Sequence, residues 1–162
     1  MIPRQLRLYN FMSYQGETEL DLYGIHVACL SGDNGNGKSA LLDSMTWALW
    51  GWARGRRYGQ GGASPDELVY QGQTEMDVTH DFEANNTHHR VIRKYSKNAK
   101  SRNAATIVDL QVNTGEGYRS LTVGSGGDWE RQLHQLLRMD YDSFVNCAFL
   151  PQPQAVSFTT SK

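Results

Sequence analysis

From Gln5 to Leu22 apolar residues fall at alternating positions, with Leu6, Leu8 and Phe11, then Leu20 and Leu22, broken near Gln15 and Gly16. This period of two predicts an antiparallel hairpin. After Tyr23-Gly24, the run Ile25-His26-Val27-Ala28-Cys29-Leu30 is mostly apolar and of strand length. It predicts a central strand covered on both faces. From Lys38 to Trp52 the pattern changes period: Leu41, Met45, Ala48 and Trp52 form one stripe, and Leu42 and Leu49 lie beside it. A helix apolar nearly all round is expected to be buried, with Trp47, Trp50 and Trp52 as packing residues.

The stretch from Ala53 to Ala63 is too rich in glycine and charge for regular structure. Ser64-Pro65-Asp66-Glu67 then offers a cap, a first-turn proline and a capping-box glutamate, so a short helix is predicted to begin there. Strand-like runs follow at Glu75 to Glu83, Thr87 to Ser96, Ala105 to Val112 and Tyr118 to Val123. Ala84-Asn85-Asn86 and Thr114-Gly115-Glu116-Gly117 supply the turns of a small antiparallel sheet. Asp128 is a candidate cap for a helix carrying Trp129, Leu133, Leu136 and Leu137 on one face; Asp140 can start another before a strand from Cys147 to Leu150.

Composition narrows the picture only slightly. At 162 residues the chain is close to the usual size of one domain. Its 16 basic and 17 acidic side chains give a net charge of -1, so affinity for nucleic acid needs a local patch. No apolar run approaches the roughly 18 residues of a membrane span, and Met1-Ile2-Pro3-Arg4 does not open a signal peptide. A cytosolic protein is expected. Cys29 and Cys147, far apart in apolar surroundings, suit buried reduced thiols, and zinc lacks a ligand set.

Gly32-Asp33-Asn34-Gly35-Asn36-Gly37-Lys38-Ser39 fits the phosphate-loop pattern G-x-x-x-x-G-K-[ST] without a departure. A strand feeding the loop and a helix leaving it would aim the amides of Asn34, Gly35, Asn36, Gly37, Lys38, Ser39 and Ala40 at a polyphosphate. Lys38 would bridge the outer phosphates as a point charge, and the Ser39 hydroxyl would coordinate magnesium. No apolar strand ending in a Walker B carboxylate follows. Ile107-Val108-Asp109 and Met76-Asp77 have too few apolar residues before the acid, and both aspartates are expected to face solvent.

The chain resembles the N-terminal head segment of SbcC-type ATPases, the SMC-like, ABC-type enzymes of double-strand-break processing. The resemblance rests on Leu6 to Tyr14, on the phosphate loop followed by Leu41 to Gly51, and on Phe144 to Gln152. It implies an α/β, P-loop ABC-type head: an N-terminal lobe with a mixed sheet around the P-loop helix and an antiparallel β subdomain. Residues 1–162 would be half a head domain. It also implies ATP and Mg2+ as cofactors, a nucleotide contact near Ser13, and Gln152 as the Q-loop residue that reaches magnesium and senses the γ-phosphate. Met12 stands where the family often has a basic residue, and Pro153 where many members have glycine.

The implied partners are the protein's own C-terminal head half with Walker B and signature, a second head joined by ATP, an SbcD-type metallophosphoesterase nuclease, and double-stranded DNA. The implied localisation is cytoplasmic and nucleoid-associated. Gly124-Ser125-Gly126-Gly127-Asp128 imitates the signature but precedes Gln152, contrary to the family's order. Arg90, Arg93, Lys94, Lys97, Lys100 and Arg102 form either a solvated hairpin edge or, as the resemblance favours, a DNA-backbone surface. An SMC-type chromosome-organising head without a nuclease and an ABC transporter nucleotide-binding component are the alternative readings.

Overall fold

In the computed structural model, residues 1–53, 64–98, 104–122 and 128–148 are described. Six antiparallel strands form one sheet: β1 (Ile2–Phe11), β2 (Tyr14–Asp21), β3 (Glu75–Ala84), β4 (Thr87–Lys97), β5 (Ala104–Asn113) and β6 (Tyr118–Ser120), in the spatial order β2-β1-β3-β4-β5-β6. The expected N-terminal hairpin and the four-strand meander are thus joined, because β1 pairs with β3 along its second edge, Leu6 opposite His80 and Leu8 opposite Val78. The β3–β4 turn is the Asn85-Asn86 pair, both at positive φ (52° and 60°). That is the conformation a tight hairpin with matching twist requires, and asparagine tolerates it.

One face of the sheet is covered by helices. Helix α1 (Lys38–Trp50) lies against β1, β3 and β4, and α3 (Asp128–Leu137) and α4 (Tyr141–Ala148) complete the layer. Leu6, Leu8, Phe11, Val78, Phe82, Val91 and Leu110 point into it from the strands and meet Trp47, Leu49 and Trp50 of α1. Each such side chain taken fully out of water contributes roughly 1.5–3 kcal/mol. Phe11 and Trp47 are in ring contact at 5.8 Å; Trp50 touches His134 of α3 (5.2 Å) and Phe144 of α4 (6.1 Å). Helix α1 ends at Gly51, whose φ of 75° lets its N–H donate to the Trp47 carbonyl at 2.8 Å. The short helix α2 (Pro65–Leu68) starts with the capping box expected from Ser64 and Glu67.

Three expectations are corrected. Ile25–Leu30 is not a strand: both edges of β1 are occupied by β2 and β3, so the run finds no neighbour among the described residues and is exposed, Val27 by 91%. The sheet of the described residues is accordingly antiparallel throughout rather than mixed. Residues 147–148 belong to α4, not a strand, because Tyr141, Phe144 and Val145 recur at helical spacing and the Asp140 carboxylate accepts from the Ser143 N–H at 2.8 Å. Cys29 and Cys147 are free and exposed, the first on the unpaired run and the second on the outer side of α4.

Candidate nucleotide-binding site

The phosphate loop leads into α1 through Gly37, which sits at φ 81°. A Cβ there would lie 2.5 Å from the Ser13 Oγ and 3.1 Å from the Tyr14 ring, so glycine is required by conformation and by space. The Tyr14 hydroxyl donates to the Gly37 carbonyl at 3.1 Å and fastens the loop to the β1–β2 turn. Lys38 folds back over the loop, its Nζ donating to the carbonyls of Gly32 (2.6 Å) and Asp33 (2.7 Å). The first intrahelical bond onto Gly37 comes from Leu41 N–H, which leaves the amides of Lys38, Ser39 and Ala40 as the open donors of the helix start. The Ser39 side chain stands beside them, exposed.

A cavity of about 570 Å³ opens over this loop. Met12, Ser13, Asn34, Gly35, Gly37, Lys38 and Ser39 form two of its walls; Glu67, Val69 and Gln71 form the third. Its size lies within the range of small-molecule and cofactor sites. Lys38 and Ser39 bring an ammonium and a hydroxyl to its lining, and Met12 and Val69 bring apolar surface; the Asn36 N–H is taken by the Asp33 carbonyl at 3.3 Å. The arrangement fits a nucleoside polyphosphate with magnesium: Lys38 and the loop amides would hold phosphate oxygens, and Ser39 would supply a metal ligand. Bound magnesium would neutralise phosphate charge.

The third wall was not legible in the sequence. It is placed by backbone bonds onto the hairpin turn: Met12 N–H to Leu68 carbonyl (2.7 Å), Tyr70 N–H to Asn10 carbonyl (2.8 Å), and a bridge between Phe11 and Val69. The capping box located α2, but no periodicity told where it docks.

Of the residues expected at the site, Ser13, Asn34, Gly35, Gly37, Lys38 and Ser39 come together around the cavity, with Asn36 within the loop and Ala40 buried in the first turn of α1. Gln152 lies outside the described residues, as do Lys100 and Arg102.

The other four basic residues do not make a free cationic stripe. Arg93 is 4% exposed and points into the helical layer, because it shares its face of β4 with Val91 and Tyr95. Its Nε donates to the Ala48 carbonyl at 3.1 Å, and its guanidinium lies 4.6 Å from the Trp129 ring centre and 5.7 Å from that of Trp47. Burial pulls its pKa down to about 10, and Glu130 opposes the shift. It therefore stays charged at neutral pH and is withdrawn from any DNA surface. Arg90 is clamped by both oxygens of Asp81 (2.6 and 2.7 Å) and stacks on Tyr118. Lys94, 59% exposed, is 3.3 Å from Asp77, and Lys97 is 2.6 Å from Asp66. Asp77 and Asp109 sit on the open face of the sheet, Asp109 accepting from Gln111 and Ser120.

A family model described as an AAA domain matches residues 5–162. The chain belongs to this AAA-domain family. Within it, the whole chain is 33% identical to the SbcC component of the nuclease SbcCD of Deinococcus radiodurans, of which it covers 17%. Over 94% of its length it is 28% identical to a probable DNA double-strand break repair Rad50 ATPase of Aquifex aeolicus, covering 14% of that protein. The chain thus spans less than a fifth of the length of these relatives. A solved structure from a study of ATP-driven dimerization and DNA-stimulated activation of SMC ATPases aligns with a TM-score of 0.55 at 17% identity, over 85% of this chain and 78% of that one. This likeness gives the AAA-domain chain an α/β P-loop ATPase head fold.

Proposed function

We propose that this chain is the ATP-binding lobe of a DNA-repair ATPase, whose ATP-driven head dimerisation regulates a partner nuclease of the SbcD metallophosphoesterase type acting on DNA ends. The observation that carries this reading is the loop itself: Gly37 packed without room for a Cβ against Ser13, with Lys38 and Ser39 lining one cavity at the start of α1. The similarity to SbcC and Rad50 proteins supports the repair role over other P-loop functions.

In this reading ATP and Mg2+ occupy the cavity, with Ser39 and Gln152 as the metal ligands and Gln152 as the γ-phosphate sensor. The chain forms half a head. The exposed apolar run Ile25–Leu30 supports this reading, since Ile25, Val27 and Leu30 are left uncovered by the described residues. The C-terminal half would bring the Walker B carboxylates and the signature. Lys100 and Arg102, with the exposed Lys94 and the half-exposed Lys97, are the candidates left for the DNA backbone once Arg93 is seen to be buried and Arg90 clamped by Asp81. Among the described residues no helix is long and apolar enough to cross a membrane; a nucleoid-associated, cytoplasmic location follows from the repair role.

The test is magnesium-dependent ATP turnover by the 162-residue chain with and without the C-terminal half. Negligible turnover alone and restoration on assembly are expected. Steady hydrolysis by the isolated chain would sink the half-site reading.

A further inference from the structure

The third wall of the cavity hangs on a short segment with an unusual anchorage. Helix α2 has four residues, too few to hold a position by its own hydrogen bonds. Leu68 is buried beneath it, and the residues after it are stitched to the β1–β2 turn. Among the described residues, its N-terminal side reaches the sheet through the Asp66 side chain. One Asp66 oxygen accepts from the Tyr95 hydroxyl and the other from Lys97 Nζ at 2.6 Å, both residues of β4. The neighbouring Glu67 serves the capping box, taking the Ser64 N–H at 2.9 Å while it lines the cavity.

The two contacts differ in weight. Lys97 and Asp66 are each nearly half exposed, and such an ion pair is worth little. Tyr95 is only 5% exposed, so its hydroxyl has a directional bond whose loss strands a desolvated donor. Tyr95 is also central to the sheet, paired with Met76 on one side and Thr106 on the other, and therefore a rigid post.

We infer that Asp66, held by Tyr95 and steadied by Lys97, is a positioning residue that fixes the start of this wall at Glu67, ahead of the stretch that the backbone bonds to Asn10 and Met12 already hold, and so governs how tightly the nucleoside part of the ligand is gripped. The inference rests on the nucleotide reading above. It separates the cavity lining into two parts: residues 32–39 are not among the partners of Asp66, whereas Glu67 is its neighbour in the chain.

The experiment measures AMP-PNP and inorganic tripolyphosphate, each with magnesium, by displacement of a fluorescent ATP analogue from the complete head. Asp66→Ala and Tyr95→Phe are expected to weaken AMP-PNP by about five- to tenfold, the value of one hydrogen bond, and to leave tripolyphosphate within about twofold. Lys97→Met should change AMP-PNP by less than about threefold. Asp66→Asn keeps an oxygen for the Tyr95 hydroxyl and is expected to restore most of the affinity. Equal weakening of both ligands, or no weakening of AMP-PNP in Asp66→Ala, overturns the inference. If the unmodified head binds neither ligand, the nucleotide reading itself fails and the positioning role fails with it. Should Tyr95→Phe not fold, the half-exposed Asp66 variants decide alone.

Discussion

Gly37 and Ser13 are so close that a Cβ on the glycine would stand 2.5 Å from the serine Oγ. The contact joins the N-terminal hairpin to the loop that opens α1, so the start of the chain shapes the cavity directly. Gly37→Ala would face this clash, the Tyr14 ring at 3.1 Å and a φ of 81°, which costs a non-glycine residue about 1–2 kcal/mol by itself. The expected result is a loss of at least tenfold in nucleotide affinity with a lowered melting temperature. Adding Ser13→Ala should recover only part of it, because the ring and the backbone strain remain. Calorimetric titration of the single and double variants checks both statements.

Arg93 separates a structural role from a DNA role. Its guanidinium stacks on Trp129 and Trp47 and bonds the Ala48 carbonyl, so Arg93→Met should lower unfolding stability by about 2–3 kcal/mol, measured in urea. The salt dependence of DNA binding by the folded variant should not change. Replacing Lys100 and Arg102 with glutamine should instead flatten the log-log salt slope on duplex DNA by up to about 1.8. A flattened slope in Arg93→Met would show that the side chain leaves the core to meet phosphate.

His80 gives the fold an acid sensitivity. It is fully buried, edge-on to Phe82 at 5.6 Å, with neither ring nitrogen hydrogen-bonded among the described residues. Burial depresses its pKa to about 4, against a smaller opposing pull from Asp81. Between its ordinary value near 6.5 and about 4, the unfolded chain takes up a proton that the folded chain refuses. Stability is therefore full above that window and falls as pH drops through it, by roughly 3 kcal/mol in total. His89, stacked on Phe82, is also lowered by burial and adds in the same direction. Carboxylates held low, such as Glu83 by Arg4 and Asp66 by Lys97 and Tyr95, lose their contribution only near and below about pH 4. His80→Leu should be at least as stable as the parent at about pH 7 and visibly more so at about pH 5 in thermal melts. Parallel pH profiles for the two proteins would contradict the buried-neutral assignment.

Elements with a strong local signature were legible in the sequence: the glycine pattern through Ser39, the all-round apolar helix expected from Lys38 to Trp52 and found to stop at Trp50 before Gly51, the Asn85-Asn86 turn, and the capping box at Ser64. What escaped was set by tertiary context. The charge of Arg93 suggests exposure, although period two from Val91 through Tyr95 places it on the buried face. Ile25–Leu30 has the composition of a covered strand, yet composition cannot supply neighbours. The wall made by Glu67, Val69 and Gln71 depends on backbone bonds to Asn10 and Met12, far back in the chain, which leave no pattern in the side chains. The pairing of Lys94 and Lys97 with Asp77 and Asp66 follows from strand register and docking, not from local charge.

The most direct test of the nucleotide site is calorimetry of Mg-ATP binding to the complete head for the parent, Lys38→Ala and Gln152→Ala. Lys38 stands at the phosphate end of the cavity, so its loss should reduce affinity by a hundredfold or more, about 3 kcal/mol for a charge-assisted phosphate contact, and abolish nucleotide-dependent head association. Gln152→Ala should bind within a fewfold of the parent while hydrolysis and dimerisation fall. Unchanged affinity in Lys38→Ala would contradict the assignment of this loop as the phosphate cradle.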